Sequence, residues 1–195
     1  MIDGVVLFHG AGSDRNHSSF LLLEEALAPI KVARINFPYR RAGKKMPDRA
    51  PILLQSVCEE VRRCADEWGT DPSRLVIGGR SMGGRMCSMA IADIDDPLVV
   101  AGLILIAYPL HPPGKPEKLR TEHLGNVAVP SLWIGGTRDT FGTPDELASA
   151  MELLTGEYSC HLIDGKGHDL KGCDAEIAST VNAWLQQLRV SDSEM

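Results

Sequence analysis

The sequence predicts an α/β fold, a mostly parallel sheet of about six strands flanked by helices. Two patterns point to it. Short apolar runs bounded by Gly or Pro recur along the chain, and longer segments with apolar residues at helical spacing separate them, as buried parallel strands and their crossover helices do. Size agrees: 195 residues, 44% of them hydrophobic, supply one core in one domain, residues 1–190, with a disordered tail over 191–195.

The strands fall at Val5 to Phe8, Val32 to Asn36, Leu75 to Gly78, Gly102 to Ala107, Ser131 to Gly135 and Ser159 to Ile163, all read as buried. Helices fill the gaps. The first spans Ser18 to Ala28. The second spans Ala50 to Trp68, where Leu53, Val57, Val61, Cys64, Ala65 and Trp68 share a face and Gly69 offers a left-handed stop. A third runs from Met82 to Asp93. Thr143, Pro144 and Glu146 supply an N-cap, a first-position proline and a capping-box glutamate, and Leu147, Met151 and Leu154 continue that helix toward Gly156. The last helix starts near Asp174 and buries Ile177, Val181, Trp184, Leu185 and Leu188. No internal repeat or low-complexity linker interrupts the series.

Composition excludes several functions. A net charge of −6 argues against nucleic-acid binding, which requires a basic surface. The longest apolar stretch, Leu98 to Ala107, is too short to span a bilayer, and the N-terminus lacks the charged and apolar regions of a signal peptide. Cys58, Cys64, Cys87, Cys160 and Cys173 show neither metal-ligand nor redox spacing and read as reduced thiols, with Cys58 and Cys87 packing as small hydrophobes in helices. A cytoplasmic protein without metal or cofactor is expected; no feature specifies an oligomeric state.

The segment Gly79-Arg80-Ser81-Met82-Gly83, between an apolar strand and a small-residue helix, has the form of a nucleophile elbow. A serine on a sharp strand-to-helix turn crowds its neighbours, so glycines flank it two positions away on each side. Its Oγ stands exposed where the helix dipole and the Met82 N–H can stabilise an oxyanion. With 19 glycines in the chain, such a string can arise by chance, so its surroundings decide. In a parallel sheet ligands bind beyond the carboxyl ends of the strands. There the chain places His9-Gly10-Ala11-Gly12 after the first strand, Ser81 after the third, Asp139 after the fifth and His168 after the sixth.

These residues, in the order Ser81, Asp139, His168, resemble the triad of the α/β-hydrolase family. The resemblance implies a compact α/β-hydrolase fold; against the family's usual eight-stranded sheet, which opens with an antiparallel hairpin, this sequence starts where the third strand would be, so that hairpin is not expected, and the short Pro109 to His123 segment leaves little to build a large lid. The resemblance also implies that His168 Nε2 takes the serine proton while Asp139 orients the imidazole, and that Ala11 and Met82 donate the oxyanion-hole N–H groups. His9 and Gly10 resemble the family's HG oxyanion motif, with His9 positioning the loop through hydrogen bonds. The segment Phe37-Pro38-Tyr39, the GRSMGG elbow, the stretch Tyr108 to Glu117 and Gly136-x-x-Asp139-x-Phe141-Gly142 bring the chain closer to the dienelactone-hydrolase-like branch. Within that branch it is similar to a small group containing testis-expressed hydrolase-like proteins and the hydrolase-like domain of a non-specific-lethal complex subunit. It departs from dienelactone hydrolases proper in carrying Ser81 where they carry cysteine.

Other assignments stay open on the residues alone. Ser81 could be an ordinary turn serine, Asp139 a loop or capping aspartate with Asp145 nearby, and His168 a surface-loop histidine. His161, inside a strand, should face the core or a helix. The whole could be a catalytically silent interaction module, or an enzyme acting on a lactone or thioester.

Charge is uneven: Arg40, Arg41, Lys44, Lys45 and Arg49 follow the second strand with only Asp48 opposing them locally. Arg80, Arg85, Arg138, Lys166, Lys115, Lys118 and Arg120 mark further loops of the same edge. The expectation is a small-molecule acyl substrate that is anionic or has an anionic leaving group, with Arg40, Arg80 and Arg138 in contact with it; the competing one is that these side chains only solvate loops. The segment Pro109 to His123 should form a semi-rigid wall of a shallow pocket.

Overall fold

The computed structural model describes residues 2–191. Six strands, β1 (Gly4–Phe8), β2 (Lys31–Ile35), β3 (Leu75–Arg80), β4 (Gly102–Ile106), β5 (Ser131–Gly136) and β6 (Tyr158–Ile163), form one sheet in the order β2-β1-β3-β4-β5-β6. Every neighbouring pair is parallel. β1, β3, β4 and β5 are buried along their whole length because helices cover both faces, which is why they read as unbroken apolar runs. β2 and β6 are edges and are partly exposed, against the expectation of six buried strands: Lys31, Tyr158, Ser159 and Cys160 face outward.

Helices α3 (Ala50–Trp68), α4 (Met82–Ile91) and α5 (Pro144–Met151) cover one face, where Phe8, Val57, Val61, Ile77, Leu105 and Trp133 belong to one buried cluster. Helices α1 (Ser18–Ala26) and α6 (Asp174–Ser191) cover the other, with Val5, Leu7, Phe20, Val76, Ile104 and Val181. A four-residue helix, α2 (Pro38–Arg41), lies in what the sequence pattern presents as a loop.

Most helix ends follow their caps. Gly69 closes α3 at φ 66°, and the Thr143/Glu146 capping box opens α5. α5 stops at Met151 instead of continuing through Leu154 because the chain turns to donate the Thr155 and Gly156 N–H groups to the Val127 carbonyl, at 3.2 Å each. α4 stops at Ile91, two residues before the expected end. Of the expected tail, Ser191 ends α6 and residues 192–195 lie outside the described residues. The chain leaves β1 for β2 on one side and crosses back to β3 on the other, so a crevice opens at the carboxyl ends of β1 and β3.

Candidate active site

The elbow is built by close backbone packing. Ser81 holds φ 47° and ψ −116°, a conformation costly for a residue with a Cβ, and its N–H donates to the Ile106 carbonyl at 2.8 Å. A Cβ on either Gly79 or Gly83 would lie 2.0 Å from the Phe8 carbonyl oxygen. The two glycines therefore let β1 run directly beneath the turn, and this brings the segment after β1 to Ser81: a Cβ on Gly10 would meet Ser81 Cβ at 3.5 Å. Ala11 follows on the exposed side, and Met82 opens α4, where helix N–H groups have no intrahelical acceptor.

His9 is fully buried, packed edge-on against the rings of Phe37 at 5.2 Å and Tyr39 at 5.8 Å. Phe37 N–H donates to its Nε2 at 3.3 Å, so Nδ1 carries the proton and donates to the Gly10 carbonyl at 2.8 Å. Burial lowers its pKa and keeps the ring neutral. His9 is thus a buried strut fastening the loop of Gly10 and Ala11.

Ser81, His168 and Asp139 form one hydrogen-bonded chain. Ser81 Oγ and His168 Nε2 are 2.8 Å apart, and His168 Nδ1 and Asp139 Oδ2 are 2.8 Å apart. A carboxylate can only accept, so Nδ1 carries the proton and Nε2 is left to take one from Oγ. Asp139 is buried, and its other oxygen accepts the Phe141 N–H at 2.8 Å. That short turn lays the Phe141 ring on the imidazole, with centroids 4.0 Å apart and planes inclined by 25°. The acid and histidine loops touch through their backbones: Arg138 N–H donates to the Lys166 carbonyl at 2.8 Å, where a side chain on Gly136 would clash at 2.1 Å.

The expected substrate-contacting arginines divide. Arg40 pairs with Asp14 at 3.3 Å. Arg80 is 7% exposed and turned toward the face covered by α1 and α6, where its guanidinium donates to the Asp169 carbonyl at 2.7 Å and fixes the histidine loop. It is therefore not on the open crevice. Arg138 is exposed. The basic loop after β2 is also less open than a local reading suggests, because Asp14 and Glu60 come to it from remote segments, Glu60 bonding both Arg41 and Arg63. The Pro109 to His123 segment does form a wall, but of a cleft of about 430 Å³ against α5, lined by Leu110, Leu119, Asp145 and Leu153 and by none of Ser81, Asp139 and His168. His161 faces α6, 2.8 Å from Glu176.

Sequence reasoning gave Phe141 no role. The Asp-x-Phe spacing carries part of the signal, since an aspartate readily accepts the N–H two residues on; that the Phe141 ring then lies on His168 depends on the two loops meeting in the fold.

The alpha/beta hydrolase domain family model matches residues 2–193. The chain belongs to this family. Among solved structures, this hydrolase-family chain is similar to an alpha-beta serine hydrolase homologue from Coxiella burnetii (17% identity, TM-score 0.73, covering 94% of this chain and 85% of that one). It is similar also to a dienelactone hydrolase from Anabaena variabilis (20% identity, TM-score 0.71, 95% and 87%). Both likenesses are of fold. A curated relative, norsolorinic acid synthase stcA of Emericella nidulans, is 32% identical over 143 residues, 71% of this chain, yet the match spans only 6% of that protein's length. No helix among the described residues is long and apolar enough to cross a membrane.

Proposed function

We propose that the protein is a serine hydrolase that cleaves a carboxylic ester or similar acyl bond through an acyl-enzyme on Ser81, within one domain over residues 1–190. The observation that carries this is the unbroken chain Ser81 Oγ to His168 Nε2 to Asp139, with the serine in a strained conformation. In this reading Oγ attacks the acyl carbon as its proton passes to Nε2, and the N–H groups of Ala11 and Met82 receive the oxyanion. The imidazolium, held by Asp139, then protonates the leaving oxygen, and the ester's C–O bond breaks. Water, deprotonated by the same Nε2, attacks the acyl-enzyme and releases the acid and free Ser81.

Among the described residues no large lid is present, which supports short acyl groups or a large, mostly external substrate. Arg138, together with the unpaired cations described below, supports a preference for anionic substrates. The HGAG and GRSMGG strings and the Tyr108 to Glu117 stretch support a place beside the testis-expressed hydrolase-like group. A non-catalytic module would have no use for a strained Ser81 bonded to an oriented imidazole.

Rapid mixing with 4-nitrophenyl acetate tests the reading. The expected result is a burst of about one nitrophenol per protein followed by slower turnover, both lost in Ser81→Ala. Turnover that survives in Ser81→Ala would overturn it.

A further inference from the structure

Arg85 and Arg120, two cations near Ser81, form no ion pair among the described residues. Arg85 stands one turn into α4, its N–H bonded to the Ser81 carbonyl at 3.1 Å. Helical side chains lean toward the helix N-terminus, so Arg85 covers the turn that begins at Ser81. Its Nε is shut off from solvent without a hydrogen-bond partner, and among the described residues no carboxylate forms an ion pair with it.

The second cation is Arg120, whose own charge is disfavoured by burial and by Arg85. Among the described residues no carboxylate forms an ion pair with it either, yet it is firmly held. Its Nη1 donates to the Pro109 carbonyl at 3.1 Å, its N–H to the Leu110 carbonyl at 2.9 Å, and its carbonyl accepts the Tyr108 hydroxyl at 2.9 Å. His123 completes the group, 2.8 Å from Ser88 Oγ and kept neutral by burial and by Arg85. The acid felt here is Glu122, which is exposed and acts more weakly on His123 than either.

Two half-buried guanidiniums, one close enough to disfavour the other's charge, oppose folding unless an anion joins them, and the planar fork of arginine suits a carboxylate. Position says which part of a substrate would supply it. Tyr108 lies two residues beyond Ile106, whose carbonyl holds the Ser81 N–H, so the pair flanks the nucleophile on the face of α3 and α4. His168, which protonates the leaving group, is anchored from the opposite face, through Arg80 and Asp169. The leaving group therefore departs toward one face and the acyl group extends toward the other.

We infer that Arg85 and Arg120 bind a carboxylate at the far end of the acyl chain, so that the substrates are esters of short dicarboxylic acids with one acid group free. This rests on the serine-hydrolase reading. It differs from the simple expectation of a basic rim, because it assigns the charge to a half-buried pair and to the acyl side of the bond.

The test compares 4-nitrophenyl hemisuccinate and hemiglutarate with the neutral 4-nitrophenyl butyrate and valerate, in the wild-type protein, Arg85→Gln and Arg120→Gln, with melting curves to verify folding. Expected in the wild type is a kcat/KM ratio favouring the anionic ester by at least about tenfold at low salt, and a ratio reduced about tenfold or more in either variant. Arg85→Lys, which keeps the charge but not the fork, should restore part of it. A second arm needs no turnover: monomethyl glutarate should bind Ser81→Ala more tightly than methyl valerate, and lose that advantage in Ser81→Ala/Arg85→Gln. Equal ratios in wild type and variants, or equal binding of the two esters, would overturn the carboxylate site. Failure of Ser81→Ala to abolish turnover would instead overturn the serine reading, and the binding arm would still decide the site.

Discussion

Replacing Asp139 by asparagine keeps the size of the side chain and removes its charge, and the surrounding hydrogen bonds determine what the amide must do. Asp139 Oδ1 accepts the Phe141 N–H at 2.8 Å, and Oδ2 accepts His168 Nδ1–H at 2.8 Å. An amide has one acceptor for these two donors. With its oxygen on Phe141, its NH2 faces Nδ1, which must then accept, so the proton moves to Nε2 and cannot be replaced by that of Ser81. With its oxygen on His168, the Phe141 N–H meets an NH2 and goes unpaired in a buried site, a cost of about 1–3 kcal/mol, which holds the productive arrangement to about one part in 5–150. Loss of the charge opposite the imidazolium adds to this. Together they predict a fall in kcat of about 10³–10⁴, in line with the value known for the same change in a serine protease triad. KM should change little and the melting temperature only by a few degrees, because the shape is conserved. Stopped-flow and steady-state kinetics on one neutral ester measure it. A variant retaining more than a tenth of wild-type kcat would refute the tautomer argument.

Three further outcomes follow from the same geometry. Gly83→Ala places a Cβ 2.0 Å from the Phe8 carbonyl oxygen and 2.8 Å from that of His9, so β1 must shift; denaturant titration should show a loss of at least about 1–3 kcal/mol, and unchanged stability would count against the packing described. Phe141→Ala removes the ring stacked on His168, and kcat should fall while Ser81→Ala remains the more damaging change; equal damage would make Phe141 more than a support. For His123 the folded pKa is lowered to about 4, by burial first and Arg85 second, from the ordinary histidine value of 6.5. Between these values the unfolded chain binds a proton that the folded one refuses, so stability is lost as pH falls from 6.5 toward 4. The loss attributable to His123 at pH 5 is up to about 2 kcal/mol, and His123→Asn should flatten that part of the curve of urea midpoint against pH.

The parts of the fold legible in the sequence are those fixed by local chemistry. α3 matches its expected span because Pro51 lies in its first turn and Gly69 takes the left-handed stop. Ser81, Asp139 and His168 could be singled out because each ends or follows a strand: the buried β3 and β5 show as apolar runs, and the edge strand β6, broken by Ser159 and His161, is still marked by Leu162 and Ile163 before the glycine-rich turn. What was not legible depends on distant partners. α5 ends short of Thr155 and Gly156, whose N–H groups donate to the Val127 carbonyl of a remote turn, although Leu153 and Leu154 continue the apolar pattern. Arg40 and Arg41 look unopposed until Asp14 and Glu60 arrive through folding. The direction of Arg80 could have been worked out: it shares parity with Val76, which packs under α1 and α6, but Gly78 and Gly79 carry no side chains to mark the alternation.

The central claim is that Ser81 is an activated nucleophile, and labelling with a fluorophosphonate followed by peptide mass spectrometry tests it most directly. The account predicts one adduct, on Ser81, absent in Ser81→Ala and formed at least about 10³-fold more slowly in His168→Gln, where no base accepts the Oγ proton. Folded protein that gives no adduct, or one on another residue, would contradict it.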